Sequence, residues 1–174
     1  MSQKVKQLLF FIIGLFVSIG FDQWTKQLVV THLKGNLPFV IWEGVFELYY
    51  SENRGAAFGI MQGKQGFFFI IAAIVIIGVF YLLYRMPSEK KYLPFTGCLF
   101  LLVSGAVGNL IDRLLNGYVV DFLYFKLINF PIFNVADCYV VISTISLMIL
   151  FFFVYSEEDL TFLSIGKKTK KGEI

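Results

Sequence analysis

The chain has 174 residues, 57% of them hydrophobic and only 16% charged, with 21 Phe and a net charge of +3; its mean hydropathy is +0.74. Soluble domains carry about 25% charged residues, so this composition excludes disorder, a disulfide scaffold and a water-soluble nucleic-acid binder. A single membrane-embedded domain over residues 1–174 is the first reading, and the Lys and Arg near the ends speak for orientation in a bilayer rather than for an acidic partner.

Crossing a hydrocarbon core of roughly 30 Å takes about 20 apolar residues at about 1.5 Å of helix rise each. Four stretches reach that length, at about 8–30, 67–84, 92–113 and 134–156, which predicts an all-α membrane protein of four transmembrane helices. The first opens as a signal peptide does, with Lys4 and Lys6 before an apolar run. The first Ala of the chain is Ala56, however, so the small residues of a cleavage site are missing and the segment reads as a retained anchor. Asp22, Gln23 and Lys26 interrupt it before Leu28-Val29-Val30 resumes.

Residues 34–66 follow, too polar and irregular to span. Phe39-Val40-Ile41-Trp42 and Val45 to Tyr50, bounded by Pro38 and Gly44, predict short strands of a small β-cradle. Trp42, Tyr49 and Tyr50 suit the membrane–water boundary. Gly55, Gly59, Gly63 and Gly66 then mark a mobile or sharply turning segment, in which Ala56-Ala57-Phe58 is either an apolar lid or ordinary loop packing. Asp121 falls in the short loop between the third and fourth spans, and Phe122 to Phe130 is again strand-like.

Four spans put both termini on one side. Segments 1–7, 85–91 and 157–174 on that side hold nine basic residues, against Lys34, Arg54, Lys64, Arg113 and Lys126 on the other. The positive-inside rule places both termini in the cytoplasm, with 157–174 as a basic cytoplasmic tail that anchors the topology. Cys98 and Cys138 belong to opposite leaflets, beyond the roughly 7 Å limit for a bridge. His32 is the single His, so no metal site is expected.

This topology gathers the acidic groups. Asp22 lies about 21 Å along the first helix, in its outer half. Asn109, Asp112 and Arg113 end the third helix, and Asn134 and Asp137 open the fourth. Asp22 and Asp112 read either as functional groups or as helix-end markers. Asp22 pairs with Lys26 at i,i+4, and Asp112 is held by Arg113 or by Lys26. Asn134 is also a natural helix cap, and Gly105 and Gly108 favour tight helix packing. Asp121 and Asp137 each follow apolar residues. If the loop folds back over the fourth helix, the two carboxyls meet where water is scarce and share a proton, as hydrolysis of a peptide bond by paired acid and base requires. Ser104, Ser143 and Thr144 lack a His or Lys partner at suitable spacing, and Cys138 reads as packing.

Five segments in order, Asp22-Gln23-x-x-Lys26, Asn53-Arg54-Gly55-Ala56-Ala57-Phe58-Gly59, Gly105 to Arg113, Val119-Val120-Asp121-Phe122 and Phe133-Asn134-Val135-Ala136-Asp137, closely resemble the motifs of the lipoprotein signal peptidase (signal peptidase II) family. The likeness runs from about residue 8 to 156. It implies an aspartic endopeptidase of the bacterial cytoplasmic membrane that removes signal peptides from prolipoproteins, cleaving before a Cys that carries diacylglycerol. It implies Asp121 and Asp137 as the catalytic pair at the extracytoplasmic face. Asp22, Lys26, Asn53, Gly55, Asn109, Asp112, Arg113 and Asn134 support or line the site. The implied partners are prolipoproteins and membrane lipids, with no cofactor and no nucleic acid. Physically, Asn109 and Asn134 bind backbone or orient a carboxylate without adding charge, and Arg113 forks onto Asp112. The rival reading is a small proton-coupled transporter, which needs acidic groups through the whole bilayer depth.

Overall fold

A computed structural model describes residues 1–55 and 65–164. The expectations for Ala56-Ala57-Phe58, Gly59, Gly63 and the Lys run at 167–171 lie outside the described residues.

Four helices, α1 (Gln3–Leu33), α2 (Gln65–Arg85), α3 (Leu93–Asn116) and α4 (Val135–Ile149), are long and apolar enough to cross a membrane, α4 once its last turn, Leu150–Val154, is included. At 31 residues, α1 spans about 46 Å. It is longer than a bilayer core of roughly 30 Å is thick and runs unbroken through Asp22, Gln23 and Lys26. Ser2 caps its start by accepting from the Val5 N–H at 3.3 Å. A Pro94 in the first turn starts α3, and Gly117, in the left-handed region at φ 78°, stops it by donating its N–H to Arg113 O. The last turn of α4, Leu150–Val154, widens to a π-turn. The chain then folds back through Thr161–Leu163, so that Phe162 packs edge-on to Phe95 at 5.7 Å and Tyr92 donates to Asp159 O at 2.8 Å. The root of the basic tail is therefore part of the packed body.

The fold buries one large cluster toward the end where α1 starts and α4 finishes: Phe11, Val79, Leu83, Phe95, Leu99, Val103, Leu150 and Phe162 are among its members. Outside it, apolar side chains such as Ile13, Phe16, Ile74 and Ile77 face outward. Helices apolar on their outer surfaces are solvated by lipid, not water. A helix lies close to its neighbours where side chains are small. A Cβ on Gly105 would stand 2.5 Å from Ala136 O of α4, and one on Gly108 2.5 Å from Asp22 Oδ2 of α1. The glycine pair thus serves packing against two different helices.

At the other end lies a three-stranded antiparallel sheet, ordered β1 (Phe39–Trp42), β2 (Phe46–Asn53), β3 (Val119–Phe125). Gly44, at φ 70°, turns β1 into β2. All four β1 residues are exposed, an apolar edge suited to a membrane boundary. Val29 of α1 packs with Val120 and Phe122 and fastens the sheet to the bundle. Here the structure corrects one expectation. Asp121 stands on a strand, not in a loop, because Val119-Val120 begins β3 three residues earlier than the strand-like stretch from Phe122. β3 pairs with β2 on one side (Ser51 opposite Asp121) and meets Phe133 O on the other, through the N–H groups of Phe122 and Leu123. Beyond Phe125 the chain turns through Lys126–Ile128 and a left-handed Asn129 (φ 48°), which ends the strand before Phe130.

Candidate active site

Asp137 owes its place to a helix cap. Asn134 precedes α4, and its Oδ1 accepts from the Asp137 N–H at 3.0 Å. Asp137 Oδ2 in turn accepts from the Asn134 N–H at 3.1 Å. Two otherwise orphaned donors of the first turn are satisfied reciprocally. With its oxygen so engaged, the Asn134 amide points its Nδ2 outward, donating to Asp121 Oδ1 at 2.6 Å and to Asn109 Oδ1 at 3.1 Å. Capping and site assembly are done by one side chain.

Asp121 is reached through the sheet. Ser51 pairs with it, and Asn53, two residues on, shares its face of the pleat. Asn53 Nδ2 donates to Asp121 Oδ2 at 2.8 Å while its Oδ1 accepts from the Gly55 N–H at 3.0 Å. Asn109 completes the set, donating to Asp137 Oδ1 at 2.8 Å. Its orientation is forced from behind, because Oδ1 faces the Lys26 ammonium at 2.9 Å and an ammonium only donates. Three asparagines therefore each turn an N–H toward the carboxylates, held there by a donor on the other side.

Beneath this layer lies a buried charge cluster. Lys26 Nζ meets Asp22 Oδ2 at 3.0 Å, Asp112 Oδ2 at 3.1 Å and Asn109 Oδ1, so its three donors have three acceptors. Asp22 is fully buried. Its Oδ1 accepts from the Ala136 N–H at 2.9 Å, which ties α1 to the first turn of α4. Asp112 Oδ2 accepts from the Val120 N–H at 3.0 Å, tying α3 to β3. Both aspartates are thus internal ties rather than wetted helix-end markers. Gln23, quoted in the first motif but not singled out as a site residue, donates to both carboxylates and to Gly108 O. Its signal was an amide beside a carboxylate inside an apolar span.

The expected Arg113–Asp112 fork does not form. Adjacent helical residues point about 100° apart and do not face each other. Arg113 turns away to Gly55 O at 3.2 Å and over the Phe68 ring at 4.2 Å. Gly55, Asn53, Asn109, Arg113, Asp121 and Asp137 all line one open cavity of about 660 Å³. The rest of its lining is largely apolar, including Phe130, Ile132, Phe133 and, on α4, Cys138, Val140, Val141 and Ile142. Asp121 is only 2% exposed. Burial, then the nearby Asp137 charge, pushes its carboxyl up to about 7, against the opposing pull of Asn53, Asn134 and Lys26.

The hydroxyls offer nothing comparable. Ser104, Ser143 and Thr144 donate to carbonyls of their own helices. Among the described residues no group of His, Cys, Asp and Glu is arranged to hold a metal ion.

The signal peptidase (SPase) II family profile matches residues 14–153. The chain belongs to the signal peptidase II family. It is 40% identical over 147 residues to the lipoprotein signal peptidase of Streptococcus thermophilus (strain CNRZ 1066), covering 84% of this chain and 93% of that one. It is 44% identical over 133 residues to the lipoprotein signal peptidase of Halalkalibacterium halodurans, covering 75% and 83%. Two solved bacterial membrane enzymes share this fold. One has a TM-score of 0.73 at 32% identity, covering 94% of this chain and 93% of that chain. The other has 0.71 at 34%, covering 83% and 94%. The chain is thus a bacterial multi-pass membrane protease of signal peptidase II type.

Proposed function

We propose that this peptidase works as an aspartic endopeptidase on prolipoproteins, cutting before the diacylglyceryl-Cys, with Asp121 and Asp137 as its catalytic pair. The observation that carries the reading is that the two carboxylates share Asn134 and line one cavity whose remaining lining is largely apolar. A signal helix and its lipid are apolar and reach the site from the bilayer, while the scissile amide needs the polar groups.

In the proposed cycle Asp121, raised to about 7, carries the shared proton, and Asp137 is the carboxylate. Asp137 takes a proton from water as the oxygen attacks the scissile carbonyl carbon. Asp121 protonates the carbonyl oxygen. Collapse of the tetrahedral intermediate returns that proton to Asp121 and breaks the C–N bond, and Asp137 passes its proton to the leaving amine. Asn53, Asn109 and Asn134 hold the pair, and the Lys26 cluster holds Asn109. Arg113 and Gly55 line the cavity. The Lys and Arg distribution supports both termini in the cytoplasm and the site at the extracytoplasmic face of the cytoplasmic membrane.

The transporter reading lacks its relay. Among the described residues the acidic groups of the spans cluster at the sheet end, while the opposite half is an aromatic and aliphatic core. The test is mass spectrometry of products after incubating the purified chain with a diacylglyceryl-modified precursor and with its unmodified form. Cleavage immediately before the modified Cys, and at least a hundredfold less on the unmodified form, is expected. Equal cleavage of both, or none of either, would refute the reading.

A further inference from the structure

Asn53 is the last residue of β2 and pairs with Val119 in the final rung before the chain leaves the sheet. Strand ends open more easily than strand centres, yet this rung holds the amide that donates to Asp121. The fastening lies one residue away, on the other face of the pleat. Glu52 stands opposite Val120, which packs with Val29 of α1. Glu52 is thus on the α1 side of the sheet, and Asn53 on the Asp121 side.

Glu52 collects three donors. Its Oε1 accepts from the Tyr50 hydroxyl at 2.9 Å and from Lys34 Nζ at 3.3 Å. Its Oε2 accepts from Arg54 Nη2 at 2.9 Å. Lys34 stands at the C-cap of α1, and its ammonium lies over the rings of Tyr50 and Tyr118 at 5.4 and 5.9 Å. Arg54 lies over the Tyr118 ring at 5.2 Å. Tyr118 directly precedes β3, and its hydroxyl is 3.4 Å from that of Tyr50. A single exposed ion pair holds little, but here one carboxylate has three donors and both its cations share the Tyr118 ring. Both chain neighbours of Asn53 are therefore pinned in one cluster that joins the end of α1, the end of β2 and the start of β3. None of Lys34, Tyr50, Glu52, Arg54 and Tyr118 lines the cavity.

We infer that Glu52 is a positioning residue for cleavage, a role that rests on the proposed Asp121–Asp137 chemistry: its clamp with Lys34, Tyr50 and Arg54 fixes the β2 backbone so that the Asn53 amide stays on Asp121. The charges that face Asp121 are Asp137 from α4, Lys26 from α1 and Arg113 from α3. The Tyr50 hydroxyl, then Arg54 and Lys34, hold the Glu52 carboxyl below its ordinary value, against the effect of burial. Tyr50 raises Lys34, and burial raises Tyr50. The clamp therefore keeps its charges between about pH 5 and 9. Loosening Asn53 removes one of the donors that restrain the rise of the Asp121 carboxyl, so Asp121 keeps its proton to higher pH.

The experiment is the pH–rate profile of the purified wild type, Glu52→Ala, Glu52→Gln and Lys34→Met on a diacylglyceryl-modified precursor, with Tm measured for each. Glu52→Ala is expected to lower kcat at pH 6 about fivefold and leave KM within about twofold, and to move the alkaline midpoint up by about half a pH unit. Lys34→Met removes a half-exposed side chain and should move the midpoint the same way by less. Glu52→Gln keeps an acceptor for Tyr50 and Lys34 and should stay close to the wild-type profile. A merely structural loss lowers the active fraction and leaves the midpoint in place. Folded Glu52→Ala and Lys34→Met variants with the wild-type midpoint would overturn the inference, and if Glu52→Ala does not fold, Lys34→Met decides alone. A wild-type profile with no alkaline limb would instead refute the shared proton, and the clamp's role with it.

Discussion

Asp121 stands with one oxygen on Asn53 and the other on Asn134, and two such neutral donors do not cancel the cost of burying the charge and of holding it beside Asp137. Its carboxyl, at 3.8 when unperturbed, is carried to about 7. The sign of the pH dependence follows. Between about pH 4 and 7 the folded chain holds this proton more firmly than the unfolded chain, so the contribution of Asp121 to stability declines as pH rises through that window. Activity has the same alkaline limit, because the proposed cycle starts with Asp121 protonated. Initial rates of precursor cleavage are expected to fall about tenfold per pH unit above about 7, and rates that stay flat to pH 9 would remove the shared proton from the account. The asparagines were visible in the sequence as amides near carboxylates. Which way each turned was not, since that depends on Lys26, Gly55 and the α4 cap, which approach from three different elements.

Those elements meet because they are tied by buried polar contacts at their ends. Asp22 holds the first turn of α4, Asp112 holds β3, and Lys26 holds both carboxylates and Asn109. Breaking a buried pair is costly because one charge is stranded. Close approach of α3 and α4 is the other condition. A side chain at 105 would press on Ala136 O and on Val140 Cγ2 at 2.6 Å, both within one turn of Asp137. Gly105→Val is expected to cost about 1–3 kcal/mol in stability and to cut kcat at least tenfold by shifting the α4 cap away from Asn109. A thermal melt and a cleavage assay unchanged from wild type would show that the approach of α3 and α4 does not set the site. Helix existence was legible from apolar run length alone. The length of α1 was not, because Asp22 and Lys26 look like an interruption until their partners on α3 and α4 are known. The strand carrying Asp121 was missed for a related reason: Val119-Val120 is too short a signal beside a helix end, and its pairing with β2 comes from 68 residues away in sequence between Asn53 and Asp121.

For the whole molecule the division is between two ends. One is an apolar aromatic core beside the start of α1, and the other gathers, among the described residues, the buried carboxylates of the bundle beneath a sheet with an apolar edge. Membrane depth then helps align a lipid-anchored substrate with the polar end, which lowers what the cavity itself must do. The family was readable because five segments stand in the order of its motifs, and four of their carboxylates gather at one predicted depth. The cluster around Glu52 was not readable, since Lys34 and Tyr118 join it from separate parts of the chain. The central claim is that Asp121 and Asp137 act as one unit on the scissile bond, and turnover of a lipidated precursor by purified Asp121→Asn, Asp137→Asn and the double variant, each with its Tm measured alongside, tests it directly. The account predicts that each single variant stays folded and loses at least a hundredfold in kcat, with the double variant little worse than either. A folded single variant that turns over within tenfold of the wild type would contradict it.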